Sequence, residues 1–325
     1  MSDRAASVRV VRSGVAESEH LVHVAVADDA GTLVASAGDP RRIVFARSCM
    51  KPLQAAVSLS LMDLRPTDRQ VAIMCASHNG EGIHVRTVRG LLRAGGLDES
   101  ALRNTPGWPL DPVAAARAGR PSRIRQNCSG KHAGMLVATA HAGWRVDAYL
   151  RPSHPLQRRI TRAVLLATGL DGVEVGVDGC GLPVHAMPLA SMATLFARLT
   201  RPERLGDLAP HAEMATSAMR AHPYLVAGRK REDTEIMRAA GSLVVKSGAE
   251  ALMCAAHVDA GIGVAVRVAD GGDRAAAPAL LHALGLLGML SAKQLKALDR
   301  FAHPWVTGGG AHVGELVPAF GLRRR

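Results

Sequence analysis

An α+β fold is predicted for this 325-residue chain from three observations. Short β-branched or alternating segments gather at both ends, their connections are of hairpin length, and the middle follows helical periodicity almost throughout. Hairpin-length connections make the terminal strands antiparallel. The expectation is therefore an αβα sandwich in one domain over 1–325. A single sheet is assembled from about 8–45 and 242–318, covered by helices, with a largely helical region over about 48–240 inserted between. Hydrophobic residues make up 48% of the chain but aromatic ones only 3%, so the core is expected to be aliphatic and alanine-rich.

In chain order, 8–13 and 20–27 read as strands, and Asp28-Asp29-Ala30-Gly31 turns the chain into another over 32–37. Pro52 suits only a first helical turn, so a helix starts near Ser48 and runs on through the apolar stretch 53–61. Thr67 and Asp68 cap a helix reaching about 76, closed by Ser77-His78-Asn79-Gly80-Glu81. A helix over 84–94 stops at Gly95-Gly96, another starts over 98–102, and 105–112, with three prolines, is a loop. Asn127-Cys128-Ser129-Gly130-Lys131-His132 opens an apolar helix reaching about 141, and 153–168 forms a helix closed by Gly169. A short strand over 173–177 delivers Asp178-Gly179-Cys180-Gly181-Leu182-Pro183. Helices follow over about 189–199, 212–221 and 232–240, then strands over 242–245, 252–258 and 262–269. A long helix over 274–290, a helical stretch over 292–301 and a last strand near 313–317 complete the reading.

The formal charge of +12 invites a nucleic-acid reading, but the arginines are scattered along helical stretches, with one run at Arg323-Arg324-Arg325. With so few aromatic rings to stack on bases, a basic surface around a site for an anionic or zwitterionic small molecule is the better use of that charge. Residues 1–14 lack the apolar core of a secretory signal, and the longest apolar stretch, 275–290, is broken by His282 and is short for a bilayer. A protein of the cytoplasm, bound to neither membrane nor nucleic acid, is expected. Five cysteines, at positions 49, 75, 128, 180 and 254, make no dense disulfide framework; in a reducing compartment they point to thiol or metal chemistry.

Arg47-Ser48-Cys49-Met50-Lys51 holds a serine and a lysine three positions apart, on one helical face. An amine beside a hydroxyl can activate it once the amine's pKa is lowered, and a helix N-terminus favours the anion that then develops. Such a motif is short and common by itself. Here it is followed by Ser77-His78-Asn79 and, at a strand end, by Lys246-Ser247-Gly248. The order resembles the S-x-x-K, S-D-N and K-T-G elements of class A β-lactamases and penicillin-binding proteins. Its chemistry is acyl transfer: Ser48 attacks an amide carbonyl, Lys51 relays the proton, and Ser77 with Lys246 supplies a second hydroxyl–amine couple for the leaving amine. A lysine at a sheet edge also discourages edge pairing, which leaves Lys246 open between the two roles.

Cys128 and Cys180 both sit beside glycines at element ends, with Lys131 one helical turn from Cys128. Two such thiols either hold zinc, with His132 or a water completing the shell, or are small buried side chains without a further role. The stretch around Lys131 lacks the first glycine and the final Ser or Thr of a phosphate-binding loop, so nucleotide binding is set aside.

Arg47-Ser48-Cys49-Met50-Lys51, Cys75-Ala76-Ser77-His78-Asn79-Gly80-Glu81, Asn127-Cys128-Ser129-Gly130-Lys131-His132, Asp178-Gly179-Cys180-Gly181-Leu182-Pro183 and Lys246-Ser247-Gly248-Ala249-Glu250 together resemble the rhizobial-type asparaginases. This class 3, or asparaginase II, family is similar in fold to serine β-lactamases and glutaminases. The resemblance covers about 8–318. It implies hydrolysis of L-asparagine to L-aspartate and ammonia by two Ser-Lys pairs, Ser48 with Lys51 and Ser77 with Lys246. It also implies one zinc per chain on Cys128, Lys131 and Cys180. Arg47, Glu81, Asn127, His132 and Asp178, inside the same motifs, are candidates for holding the substrate. A homodimer is the default assembly at this size.

Two positions depart from the family's pattern. Gln126 stands where a histidine is expected beside the zinc site, and Thr307-Gly308-Gly309-Gly310 where an asparagine-containing turn is expected near the end of the sheet. A glutaminase, a β-lactam-recognising serine hydrolase and a non-catalytic zinc-containing amino-acid-binding protein are the alternative expectations.

Overall fold

The computed structural model describes residues 6–324. Met1–Ala5, from the stretch read for a signal segment, and Arg325, the last of the terminal arginines, lie outside the described residues.

The chain opens with strands β1 (Ser7–Arg12), β2 (Val15–Asp28), β3 (Leu33–Ala37) and β4 (Ile43–Phe45). A 3-10 turn, Arg47–Met50, leads without a break into α1 (Lys51–Leu59). Next come α2 (Asp68–Met74), α3 (Gly82–Ala94), α4 (Pro112–Ala116), α5 (Ser129–His141) and α6 (Pro155–Thr168). Strands β5 (Glu174–Val177) and β6 (Pro183–Pro188) precede α7 (Leu189–Thr200), α8 (Ala209–Ala221), α9 (Pro223–Val226) and α10 (Glu232–Ala239). The last third holds β7 (Leu243–Gly248), β8 (Leu252–His257), β9 (Ile262–Val268), α11 (Ala276–Leu286), α12 (Ala292–Ala297) and α13 (Asp299–Ala302). It ends with β10 (Trp305–Gly308), β11 (Ala311–Ala319) and β12 (Arg323–Arg324).

These elements fall into two compact units. One comprises the chain up to Cys49, Met187–Arg198 and everything from Glu235 on; the other is Met50–Ala186 with Leu199–Thr234. The first unit holds the antiparallel sheet, in the order β10-β11-β1-β2-β9-β8-β7, with β3 on β2 and β12 on β3. Strands from both termini thus form one sheet. The join is β2 on β9, where Val24 faces Val266 and Val26 faces Val264, and it is covalently continued by hairpins on either side. Consecutive residues of β2, β8 and β9 are buried, as expected where a sheet is covered on both faces. Helix α11, apolar nearly all round, lies against β8, β9, β1 and β11.

The second unit is helical and is built around α1, all nine residues of which are buried among α5, α6 and α8. Pro52 sits in the first turn of α1, where its missing N–H costs nothing. The predicted cap of α2 is present as a full capping box, with Gln70 N–H on Thr67 Oγ1 and Thr67 N–H on Gln70 Oε1.

Differences from the sequence reading are local. Helix α11 stops at Leu286, short of 290, because Met289 N–H folds back onto Leu284 O. The helical start expected at 98–102 is only a 3-10 turn, Glu99–Ala101. Strands β4, β6 and β10 had no strand signal of their own; β6 begins and ends in proline, which ordinarily speaks against a strand. At the departure over 307–310 the chain makes the β10–β11 hairpin, with Thr307 opposite His312 and Gly308 opposite Ala311. Among the described residues no helix is long and apolar enough to cross a membrane.

His185, in β6, is 1% exposed, shares a 3.0 Å hydrogen bond with Thr161 of α6, and is pushed down by burial to a pKa of about 4. Between its ordinary value of 6.5 and about 4 the unfolded chain takes up the proton more readily than the folded one. The residue's contribution to stability is therefore complete above 6.5 and is lost as the pH falls through that window. Thermal unfolding by circular dichroism is expected to show a shallower fall of Tm from pH 6.5 to 4 in H185Q than in the wild type; parallel curves would remove His185 from the account.

Candidate active site

The serine and lysine candidates are divided between the two units: Arg47, Ser48 and Lys246 in the first, Lys51 and Ser77 in the second. In the first unit, Arg47 has φ of 44°, a left-handed conformation that is uncommon for a residue with a side chain and that turns the chain out of β4 into the 3-10 turn carrying Ser48. Strand β7 ends against that turn. Cys49 Sγ donates to Lys246 O at 3.1 Å, and a Cβ on Gly248 would stand 3.4 Å from Ser48 N and 3.2 Å from Cys49 Sγ. Glycine at 248 is thus what lets the strand end approach the serine backbone this closely. Lys246 has no exposure, and its amine donates to Ser247 O at 2.8 Å.

In the second unit Lys51 is also without exposure, and its Nζ donates to Ala76 O at 2.6 Å and to Ser77 Oγ at 2.8 Å. The amine at the start of α1 is thus held by the segment leaving α2. That segment is pinned in turn: Ser77 N–H donates to Val226 O, Asn79 N–H to Ala227 O, and His78 N–H to Asn127 O. His78 is buried, receives Gly80 N–H at Nδ1 and donates from Nε2 to Ser129 Oγ at 2.9 Å. Burial, followed by the charges of His84, Lys51 and Arg231, holds its pKa well below the usual histidine range. His78, His84 and Tyr224 form a ring stack with centroid spacings of 5.1 and 5.9 Å.

Glu81 accepts from Tyr224 Oη at 2.6 Å, from Asn79 Nδ2 at 3.2 Å and from Arg229 N–H at 3.2 Å. Arg229 closes a two-toothed ion pair with Asp111, at 3.1 and 3.2 Å. Arg231 Nη1 reaches Ser77 O and Asn79 Oδ1, both at 3.3 Å. The loop 227–231 is therefore fastened to the Ser77 segment by Asn79 and Glu81, and to the start of α4 by Asp111. Arg229 and Arg231 carry no sequence signal beyond the basic tract Gly228-Arg229-Lys230-Arg231 ahead of α10, and Asp111 carries none.

Around α5 the thiols meet. Lys131 Nζ lies 3.2 Å from Cys180 Sγ and 4.0 Å from Asp178 Oδ2, and Cys180 Sγ lies 3.3 Å from the same carboxylate. Cys128 shares a hydrogen bond with Cys180, which holds the Cys128 thiol well below its ordinary pKa against the opposing effect of burial. Cys180 is pushed up, by the Cys128 bond first and by burial second. Burial works to lower the Lys131 pKa, but the charges of Cys180, Cys128 and Asp178 outweigh it and raise it. Gln126 is tied to this group: its Oε1 accepts from Cys128 N–H and Asn104 Nδ2, both at 3.0 Å, and its Nε2 donates to Asn127 Oδ1 at 2.7 Å. Where a histidine was expected, the amide uses both ends to set Asn127 and the Cys128 backbone. His132 is buried next to Lys131, with Nδ1 2.7 Å from Tyr149 Oη.

Among the described residues no group of three His, Cys, Asp or Glu side chains is arranged to hold a metal. The two thiols and the amine brought together here, with a carboxylate alongside, do suit zinc in donor type, provided Lys131 gives up its proton on binding.

The sequence pattern of the L-asparaginase II family matches residues 8–318. The chain belongs to the L-asparaginase II family, a family of amidohydrolases. Solved structures similar to this L-asparaginase II family member include a β-lactamase from Mycobacterium bovis, 17% identical over 86% of this chain and 95% of that one, with a TM-score of 0.39. A Bacillus subtilis glutaminase bound covalently to 5-oxo-L-norleucine is 13% identical over 83% and 89%, with a TM-score of 0.38. Simvastatin synthase from Aspergillus terreus is 13% identical over 76% and 86%, with a TM-score of 0.39. No curated protein matches.

Gly130, between Cys128 and Lys131, is where α5 meets the end of α2: a Cβ there would stand 2.1 Å from Ile73 O. G130A is expected to cost about 1–3 kcal/mol of stability, because the helix start must shift away from a backbone carbonyl that cannot yield. The same shift moves both Cys128 and Lys131, so thiol reactivity toward a disulfide reagent is expected to rise in the variant. Unchanged urea midpoints and unchanged thiol reactivity would show that the approach at Ile73 is slack.

Proposed function

We propose that this protein hydrolyses L-asparagine to L-aspartate and ammonia. The observation that carries this reading is the Lys51–Ser77 hydrogen bond, a buried amine in direct contact with a buried hydroxyl in a chain of the L-asparaginase II family. Ser48 attacks the side-chain amide carbon and its proton passes to Lys51, whose amine in turn touches Ser77. By that route the leaving nitrogen takes a proton and departs as ammonia, and water then cleaves the acyl-serine ester to free aspartate. Backbone N–H groups at the helix start are suited to the oxyanion. Lys246 is the partner assigned to Ser77, an assignment that rests on the order of the motifs. Arg47, Glu81, Asn127, His132 and Asp178 contact or frame the substrate's carboxylate, ammonium and amide.

Cys128, Lys131 and Cys180 are the residues proposed to hold one zinc. Bound there, zinc supplies a Lewis acid that polarises a carbonyl oxygen. The homodimer and the reducing cytoplasm belong to the same proposal, the latter supported by five free cysteines, all buried.

Purified protein is expected to release ammonia from L-asparagine, with S48A lowering kcat on the order of a thousandfold or more. No ammonia from either asparagine or glutamine would end the proposal in this form, and a strong preference for glutamine would move it to a glutaminase. A covalent adduct on Ser77 but not Ser48, located by mass spectrometry with an electrophilic asparagine analogue, would exchange the two serines. Elemental analysis is expected to find about one zinc per chain, lost in C128S and C180S; zinc-free wild-type protein with full activity would remove the metal from the proposal.

A further inference from the structure

Tyr149 follows the 3-10 turn Val146–Ala148 and has no exposure to solvent. Its oxygen lies 3.2 Å from Arg103 N and 2.7 Å from His132 Nδ1. A main-chain N–H can only donate, so toward Arg103 the phenol oxygen is an acceptor. The phenol's one proton needs an acceptor of its own, and among the described residues His132 Nδ1 is the one it reaches. Nδ1 therefore carries a lone pair, and the proton of the neutral ring sits on Nε2.

That Nε2–H has no hydrogen-bond partner among the described residues, although His132 is wholly buried. It is one of nine buried side-chain polar atoms without a hydrogen-bond partner among the described residues, and a buried donor of this kind marks a place where something else can supply the acceptor. His132 follows Lys131 on α5, its backbone N–H bonds back to Cys128 O, and the charges of Lys131 and Lys51 both act on its ring. The ring that carries the orphaned donor thus lies in the electrostatic reach of both lysines.

We propose that Tyr149 is a positioning residue that locks His132 in its Nε2–H tautomer, so that His132 offers the bound amino-acid amide a neutral hydrogen-bond donor. The group it meets is an acceptor oxygen, from the carboxylate or the amide carbonyl. The substrate's ammonium and amide NH2 are excluded from that spot, since there donor would face donor. In this tautomer Nε2 cannot take up a proton from substrate either, so His132 orients and polarises without acting as the base. The inference rests on the amidohydrolase reading for the identity of the ligand but not for the tautomer.

The two are separated by measuring them separately. Two-bond 1H–15N correlation spectra of histidine-labelled protein, with H132Q used for assignment, read the tautomer without turnover. Wild-type His132 is expected to show a protonated Nε2 and a bare Nδ1, Y149F a mixture of tautomers, and added L-aspartate a shift of the wild-type Nε2–H. In the ammonia assay Y149F is expected to lose on the order of tenfold in kcat/KM. A wild-type spectrum with the proton on Nδ1, or a Y149F spectrum identical to it, overturns the lock, and it does so whether or not Y149F is stable, because the wild-type spectrum alone is decisive. An Nε2–H unmoved by aspartate overturns the substrate contact. Wild-type protein that releases no ammonia defeats the amidohydrolase reading and leaves the spectra as they are.

Discussion

A lysine amine with no access to water has to be met by acceptors inside the protein, and the second unit is arranged to meet that demand at Lys51. The helix that begins with this residue is buried on every side, so nothing on α1 itself can reach solvent on its behalf. The acceptors come from the segment leaving α2, as Ala76 O and Ser77 Oγ. That segment has no regular structure, and its own N–H groups are taken by Val226, Ala227 and Asn127 carbonyls. Its neighbours are fastened by the same rule, with Glu81, Asn79 and Asp111 tying down the loop 227–231. One buried amine thus sets the positions of polar groups outward through three loops.

The same low-dielectric surroundings decide what the neighbouring histidines can do. Burial is the largest influence on His78 and on His132, and the adjacent lysines oppose a further positive charge on either ring. Both rings are therefore neutral, with their roles as donor or acceptor dictated by the groups on either side. The thiol pair behaves in the complementary way: burial opposes charge on Lys131 but is outweighed by Cys180, Cys128 and Asp178, while the bond between the thiols moves the Cys128 pKa down and the Cys180 pKa up. Charge in this unit is thus governed by burial and by neighbouring groups, while the imidazoles remain uncharged hydrogen-bonding groups.

How much could be read beforehand depended on how local the cause was. The cap at Thr67, the stop at Gly169 and the mostly apolar run that α1 opens are consequences of neighbouring residues, and each is visible in the sequence. Strands β4, β6 and β10 were not, because three to six residues, in one case bounded by prolines, acquire strand geometry from the strand beside them and not from their own pattern. Within the site, motif spacing put a hydroxyl and an amine on one helical turn at Ser48 and Lys51. It had no means of showing that the same amine would bond Ser77, 26 residues on. Arg229, Arg231 and Tyr149 were invisible for a related reason: an arginine in a basic tract or a tyrosine after a turn carries no mark of the partner it will find.

What the amino-acid order determined by itself is the succession of elements and the inventory of reactive groups: strands at the two ends, helices between, and serine, lysine and cysteine placed at the starts and ends of those elements. Propensity, capping and hydrophobic period act over a few residues, and so can be read from a few residues. The tertiary structure decided which of those groups touch, which carry charge, and which atom of His132 holds the proton. Each of these depends on burial and on hydrogen-bond partners brought together from distant parts of the chain, and a dielectric environment exists only once the core has closed around it.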